Sequence, residues 1–233
     1  MKKNIFYIML MLLTSAVTFT SCDNDSSAGT TRITYYPVLT LNGYSEMEVD
    51  KGSTFTDPGC NGEMNGEDIT SQVVTSGTVD TSKSGIYTLT YSATNADGFS
   101  ASTSRTVIVT DPNDPREGIF STDPTSYRDY GGQRAFGASY QVVITSTEAG
   151  TYHATDLFGG WYSQRAGYGS NYNMDGNFSV ADDGTLTLAY SLIAGWGDSL
   201  DDLVGQFDAA TGTYTWDAYY YGSAMVFHVI LSK

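Results

Sequence analysis

Aromatic rings set beside glycines are the residues of this chain best suited to recognition chemistry. Phe158-Gly159-Gly160-Trp161-Tyr162, Tyr168, Tyr172, Gly195-Trp196-Gly197 and Tyr219-Tyr220-Tyr221-Gly222 concentrate between residues 158 and 222. A glycine has no Cβ, so it leaves the face of a neighbouring ring open to a flat ligand. Sugars present C–H faces that stack on such rings, while Asn, Gln, Arg and Asp can bond their hydroxyls. Trp161, Tyr162, Tyr168, Tyr172, Trp196, Tyr219 and Tyr221 are therefore the candidate glycan-binding residues. The competing reading packs these rings into an interior, as strand alternation expects for Tyr190, Tyr214 and Trp216. For Trp161 and Trp196 both readings stay open. Among Tyr219, Tyr220 and Tyr221 at least one ring must face outward, because neighbouring strand side chains point to opposite faces.

Catalytic chemistry is poorly provided for. The only histidines are His153 and His228, and His228 sits in an apolar segment where a satisfied core histidine is expected. Glycoside hydrolysis needs two carboxyls about 5–10 Å apart across the scissile bond. Beyond residue 116 the only glutamates are Glu117 and Glu148, and Asp198, Asp201 and Asp202 cluster in a loop. Nucleophile, phosphate-loop and paired-histidine metal motifs are missing from the sequence. We expect no enzyme, no catalytic residue and no cofactor. Asn171, Asn173, Asp175, Gly176 and Asp182 follow the spacing of a calcium loop. Two asparagines replace carboxylates there and the last ligand is Asp rather than Glu, so a turn leading into a strand is expected and no metal.

The elements that must position these rings are strands. Eighteen tyrosines and many β-branched residues favour strand over helix. In the second half, segments 140–145 and 150–155, 176–180 and 185–190, and 203–207 and 213–218 read as hairpins, with residues 224–231 closing the chain. The turn Ala181-Asp182-Asp183-Gly184 carries an Asp-Gly signal, and residues 195–202 have room for one helical turn. About eight strands in meander order fit an up-and-down barrel or a flattened sandwich. The last segment, 225–231, is apolar on both faces and expected to be central. Residues 33–110 read as about seven short strands, as in residues 87–92, where Tyr87, Leu89 and Tyr91 alternate with Thr88, Thr90 and Ser92. The fold class is all-β throughout, an immunoglobulin-like β-sandwich followed by an antiparallel meander.

Four ordered motifs in the first half carry a resemblance. They are Phe55-Thr56-Asp57-Pro58-Gly59, Gly66-Glu67-Asp68-Ile69-Thr70, residues 79–87, and Arg105-Thr106-Val107-Ile108-Val109. Together they resemble the bacterial surface immunoglobulin-like domain, which implies a sandwich used as a spacer or adhesive module. Asp111-Pro112-Asn113-Asp114-Pro115 follows as a linker, since two prolines in five residues exclude helix and ladder alike. The second half is similar in general pattern to C-terminal domains of surface lipoproteins from polysaccharide-utilisation systems.

The N-terminus fits such a destination. Lys2 and Lys3 precede an uncharged apolar run over residues 5–17, the layout of a secretory signal peptide. Its exit, Thr18-Phe19-Thr20-Ser21-Cys22, resembles a relaxed lipobox, implying cleavage before Cys22 and diacylation (palmitate-type lipid) of that residue. The acidic stretch after Cys22 resembles the signal that sends Bacteroidetes lipoproteins to the outside of the outer membrane. The expected organisation is a signal peptide over 1–21, a flexible tether over 22–32, the immunoglobulin-like domain over 33–110, the linker over 111–116 and a β-rich ligand-binding domain over 117–233. With 11 basic against 26 acidic residues and a formal charge of −15, the surface would repel nucleic acid. Attachment to a membrane would rest on the lipid, and Cys60 has no disulfide partner if Cys22 is acylated. The expected work is non-catalytic capture of polysaccharide or oligosaccharide beside an outer-membrane sugar transporter complex. The alternative is a structural or adhesive surface lipoprotein with no small-ligand site.

Overall fold

A computed structural model describes residues 33–233, so the expected signal peptide, the expected acylation site Cys22 and the expected tether lie outside the described residues. Seven strands come first: β1 (Val38–Leu41), β2 (Glu46–Asp50), β3 (Cys60–Met64), β4 (Glu67–Asp68), β5 (Val74–Ser76), β6 (Gly85–Thr94) and β7 (Ser100–Thr110). They form two sheets, β1-β3-β4 and β2-β7-β6-β5. The long β6–β7 hairpin turns at Asn95, whose side-chain oxygen accepts the amides of Asp97 and Phe99. Between the sheets lie Cys60, Leu89 and Tyr91. The motif residues Asp57 and Arg105 meet there. Asp57 accepts the Tyr91 hydroxyl at 2.6 Å and stands 3.7 Å from the Arg105 guanidinium, which is fully buried. Arg105 also donates to the carbonyls of Asn42 and Gly59, so the charge is held on several sides.

Ten strands follow: β8 (Gly118–Thr122), β9 (Tyr127–Asp129), β10 (Gln133–Ala135), β11 (Gln141–Glu148), β12 (Thr151–Ala154), β13 (Met174–Val180), β14 (Leu186–Ile193), β15 (Asp202–Asp208), β16 (Thr213–Tyr220) and β17 (Met225–Ser232). From β11 to β17 the chain is a meander of antiparallel neighbours, and β8 pairs with both β11 and β17. The curled sheet meets itself where Thr185 bridges Gln206 and the Phe207 amide bonds to Gly184, joining β14 to β15. Inside lies a core that includes Phe120, Ile144, Phe178, Tyr214, Trp216 and Phe227, all essentially without solvent contact.

Several features depart from the strand pattern expected above. Strands β3, β8, β9 and β10 carry little period-two signal. β8 and β9 are two pieces of one edge along β17, interrupted at residues 123–126, where Ser126 Oγ takes the Ile230 amide. Tyr190, expected inside, is 50% exposed. A bulge lets Asn177 face Tyr190 while Phe178 faces Leu188, so one extra residue turns the face of the strand. β17 is central as expected, with β8, β9 and β16 as neighbours. His228, however, sits on its half-covered outer face, bonded to Asp217 at 2.7 Å and stacked on Tyr127. Residues 193–197 make a hydrogen-bonded turn instead of a helical turn over 195–202. The helical turns of this half fall at Trp161–Arg165, a π turn, and at Ser170–Tyr172.

Candidate functional site

In a meander, every second connection emerges at the same end. The loops after β9, β12, β14 and β16 therefore share one end of the curled sheet, and the linker enters β8 from the other. The longest of these loops, residues 155–173, is built on Asp156. This carboxylate is fully buried and accepts four bonds, from the amides of Phe158, Gly160 and Met174 and from Ser163 Oγ, at 2.9–3.1 Å. Burial pushes its carboxyl up to about 6, against the downward pull of those four donors. Trp216 Nε1 and Thr122 Oγ1 hold the carbonyls of Leu157 and Gly159 in the same loop. Nothing in the sequence pattern singles out Asp156, because a buried capping carboxylate has the same residue type as a solvated loop aspartate.

On this scaffold four of the candidate rings come together. Tyr162 lies 4.8 Å from Trp196 and 6.1 Å from Tyr168, and Tyr172 lies 5.1 Å from Trp196 and 5.4 Å from Tyr168. Most of these contacts are edge-to-face, the geometry that aromatic quadrupoles favour. Tyr168 is 56% exposed and Trp196 42% exposed, so the cluster shows ring surface to solvent. Gly195 makes the approach possible: a Cβ there would stand 2.7 Å from the Tyr172 ring. Beneath the cluster lie Phe158 and Phe227, each in contact with Tyr162.

The remaining candidates go elsewhere. Trp161 is only 3% exposed, packed on Phe136 and Phe227 with the Arg165 guanidinium over its ring. It packs in the buried cluster of this half and offers no open ring face to solvent. Tyr219 is half-buried on the outer wall of β16, away from the cluster, and the alternation puts Tyr220 inside. The Tyr220 hydroxyl donates to Asp198 at 2.8 Å. Tyr221 is 67% exposed and forms a second, smaller aromatic pair with Tyr130, a residue absent from the candidates. The calcium-like spacing does not close on a point. Asp175 lies near the start of β13 and Asp182 beyond its end, and Asp175 is bonded to His153 at 2.7 Å. Clefts lie apart from the rings, one of about 760 Å³ between Lys51 and residues 82–87 on one side and residues 145–149 on the other.

Comparison with known proteins agrees with this architecture. The model of the bacterial surface protein Ig-like domain matches residues 39–109, and a second family model, described as a C-terminal domain, matches residues 109–233. The solved structure of the lipoprotein BT2262 from Bacteroides thetaiotaomicron is 41% identical, with a TM-score of 0.75 over 85% of this chain and 100% of that one. Two structures from Clostridium perfringens ZmpB overlap at 20% identity and a TM-score of 0.28. One holds the M60 catalytic domain with CBM51-1 and CBM51-2 and overlaps 52% of this chain and 15% of its own. The other holds CBM51-2 in complex with GlcNAc and overlaps 50% of this chain and 31% of its own. No curated protein matches the sequence.

Proposed function

We propose a function from one premise: the chain belongs to the family of Bacteroides-type surface lipoproteins that includes BT2262. Within it, this protein binds glycan without catalysis, on the rings of Tyr162, Tyr168, Tyr172 and Trp196. The observation that carries the reading is that two separate loops bring these four rings to one exposed cluster. Rings that only filled a core would be covered, as Trp161 is. Tyr221, with Tyr130, offers a second place for a sugar on the same end of the sheet. Tyr219 contributes at most from the side wall.

In this reading Cys22 is acylated and holds the protein on the outer membrane, facing outward. The immunoglobulin-like sandwich carries the aromatic end away from the bilayer, where it captures polysaccharide for a neighbouring sugar transporter complex. Affinity electrophoresis against a panel of polysaccharides tests the binding. Retardation by at least one polymer, lost in Tyr168→Ala and Trp196→Ala, is expected. If no polymer retards the wild type, the protein is a structural or adhesive module. Release of shortened sugars from the same panel would instead make it an enzyme. Changing Cys22→Ala should move the protein from the membrane fraction to a soluble one.

A further inference from the structure

Residues 117–233 hold only four basic side chains, Arg128, Arg134, Arg165 and Lys233. Three of them, the arginines, stand together at the aromatic end. Arg128 and Arg134 are directly opposite each other on β9 and β10, a pairing that sets like charges on one face. Arg128 also pairs with Phe227 of β17, so its side chain shares the face that turns into the mouth of the curled sheet. There its guanidinium lies 5.0 Å from the Trp161 ring centroid and 6.0 Å from that of Tyr130. Arg165 comes from the loop after β12, its guanidinium 4.1 Å from the same Trp161 centroid. Arg165 is fixed by donating to the carbonyls of Phe136 and Ala135, next to Arg134 in the chain.

Among the described residues none of these three arginines has an ion-pair partner, although the chain carries 26 carboxylates. The nearby acids are engaged otherwise. Asp129 points to the other face of β9 and accepts the Gly132 amide, Asp198 takes the Tyr220 hydroxyl, and Asp201 takes the Ser223 amide. Arg128 Nε is buried and bonded to nothing. A partly buried guanidinium with an unsatisfied donor is costly, and contact with two rings offsets only part of that cost. Repulsion between three arginines adds to it. The energy is recovered if an anion enters the mouth. Tyr162 ties this cluster to the ring platform: its ring touches Trp196, and the positive charge of Arg128 acts on its hydroxyl.

We propose that Arg128, Arg134 and Arg165 form a subsite for an anionic group of the glycan, a carboxylate or a sulfate ester, so that the ligand is an acidic polysaccharide. This rests on the glycan reading above and narrows it. A guanidinium matches both anions through parallel N–H bonds. The acidic remainder of the surface does not forbid it, since charges more than about 8 Å apart are screened at physiological salt.

The test compares matched polymers: polygalacturonate against its carboxyl-reduced form, and chondroitin sulfate against its desulfated form. The wild type should bind at least one acidic member about tenfold or more tightly than its neutral or less charged counterpart, with affinity falling as salt rises. Arg134→Gln, an exposed position, and Arg128→Gln should each lower that affinity about tenfold and leave any neutral-polymer binding within about twofold. Preference for polygalacturonate assigns a carboxylate, and preference for chondroitin sulfate over its desulfated form assigns a sulfate. Equal binding of charged and neutral members, lost in Trp196→Ala but not in the arginine variants, would overturn this inference and leave the glycan reading standing. Absence of binding to these four and to the whole neutral panel would remove both. Should Arg128→Gln fail to fold, Arg134→Gln alone decides.

Discussion

Gly195 and the ring of Tyr172 face each other so closely that a methyl group on the glycine would lie 2.7 Å from Cε1 of the tyrosine. Trp196 follows Gly195 directly, and its ring packs on that same tyrosine. The backbone at Gly195 is not left-handed, so alanine is tolerated by the chain itself and disfavoured only by the ring. Gly195→Ala should push Tyr172 aside and break the four-ring cluster. Stability should fall by about 1 kcal/mol or less, since the site is at the surface. Glycan affinity and the fluorescence of Trp196 should both change. An unchanged affinity would mean that the arrangement of the rings does not matter for binding.

Trp161 and Trp196 should behave as opposites. Trp161 is enclosed by Phe136, Phe227 and Arg165, so Trp161→Ala should cost about 3–5 kcal/mol of stability. Trp196→Ala should leave the unfolding midpoint nearly unchanged and cost about 1–3 kcal/mol of glycan binding, by analogy with base stacking on aromatic rings. Chemical denaturation and affinity electrophoresis read the two effects separately. A Trp196→Ala variant as unstable as Trp161→Ala would place both rings in the core.

Asp156 gives the loop a pH dependence of unusual sign. Its carboxyl is held near 6 in the folded protein and titrates at about 4 when unfolded. Between those values the folded protein keeps a proton that the unfolded chain releases. The stability this site contributes is thus greatest below about pH 4 and falls as pH rises to about 6, by about 3 kcal/mol if the whole difference is felt. Asp156→Asn removes that titration. The destabilisation caused by Asp156→Asn should be larger at pH 4.5 than at pH 7 in urea unfolding. A penalty that grows with pH would show instead that the four donors hold the carboxylate ionised throughout.

The two halves are proposed to fold separately, although the segment between them is not loose. Tyr152 and Tyr214 donate to Asp114 and to the Arg116 carbonyl, and Arg116 lies over Phe207, so the linker is fastened to the C-terminal half. Each half has its own buried cluster, and that of the N-terminal half is far smaller. Calorimetry should show two transitions, the sandwich melting first, and both should survive cleavage between Asp111 and Arg116. A single transition abolished by the cut would mean one cooperative unit.

Much of the fold was legible because local patterns carry it. The alternation over residues 87–92, the Asn95 turn and the hairpins of the second half need only neighbouring residues to be read. The motif residues Asp57 and Arg105 were recognisable, but their purpose appears only once two sheets bring them together across the chain. What tertiary structure decided was orientation. A single bulge turned Tyr190 outward, while Trp161 was covered by Phe136 and Phe227. The convergence of Tyr162 and Tyr168 with Trp196 depends on loops from different hairpins meeting at one end, and that of Arg128 with Arg165 on strand β9 meeting one of those loops. Sequence fixes which side chains a strand or loop carries. Which of them face solvent together depends on contacts between residues far apart in the chain, because a one-residue shift in register exchanges the two faces of a strand.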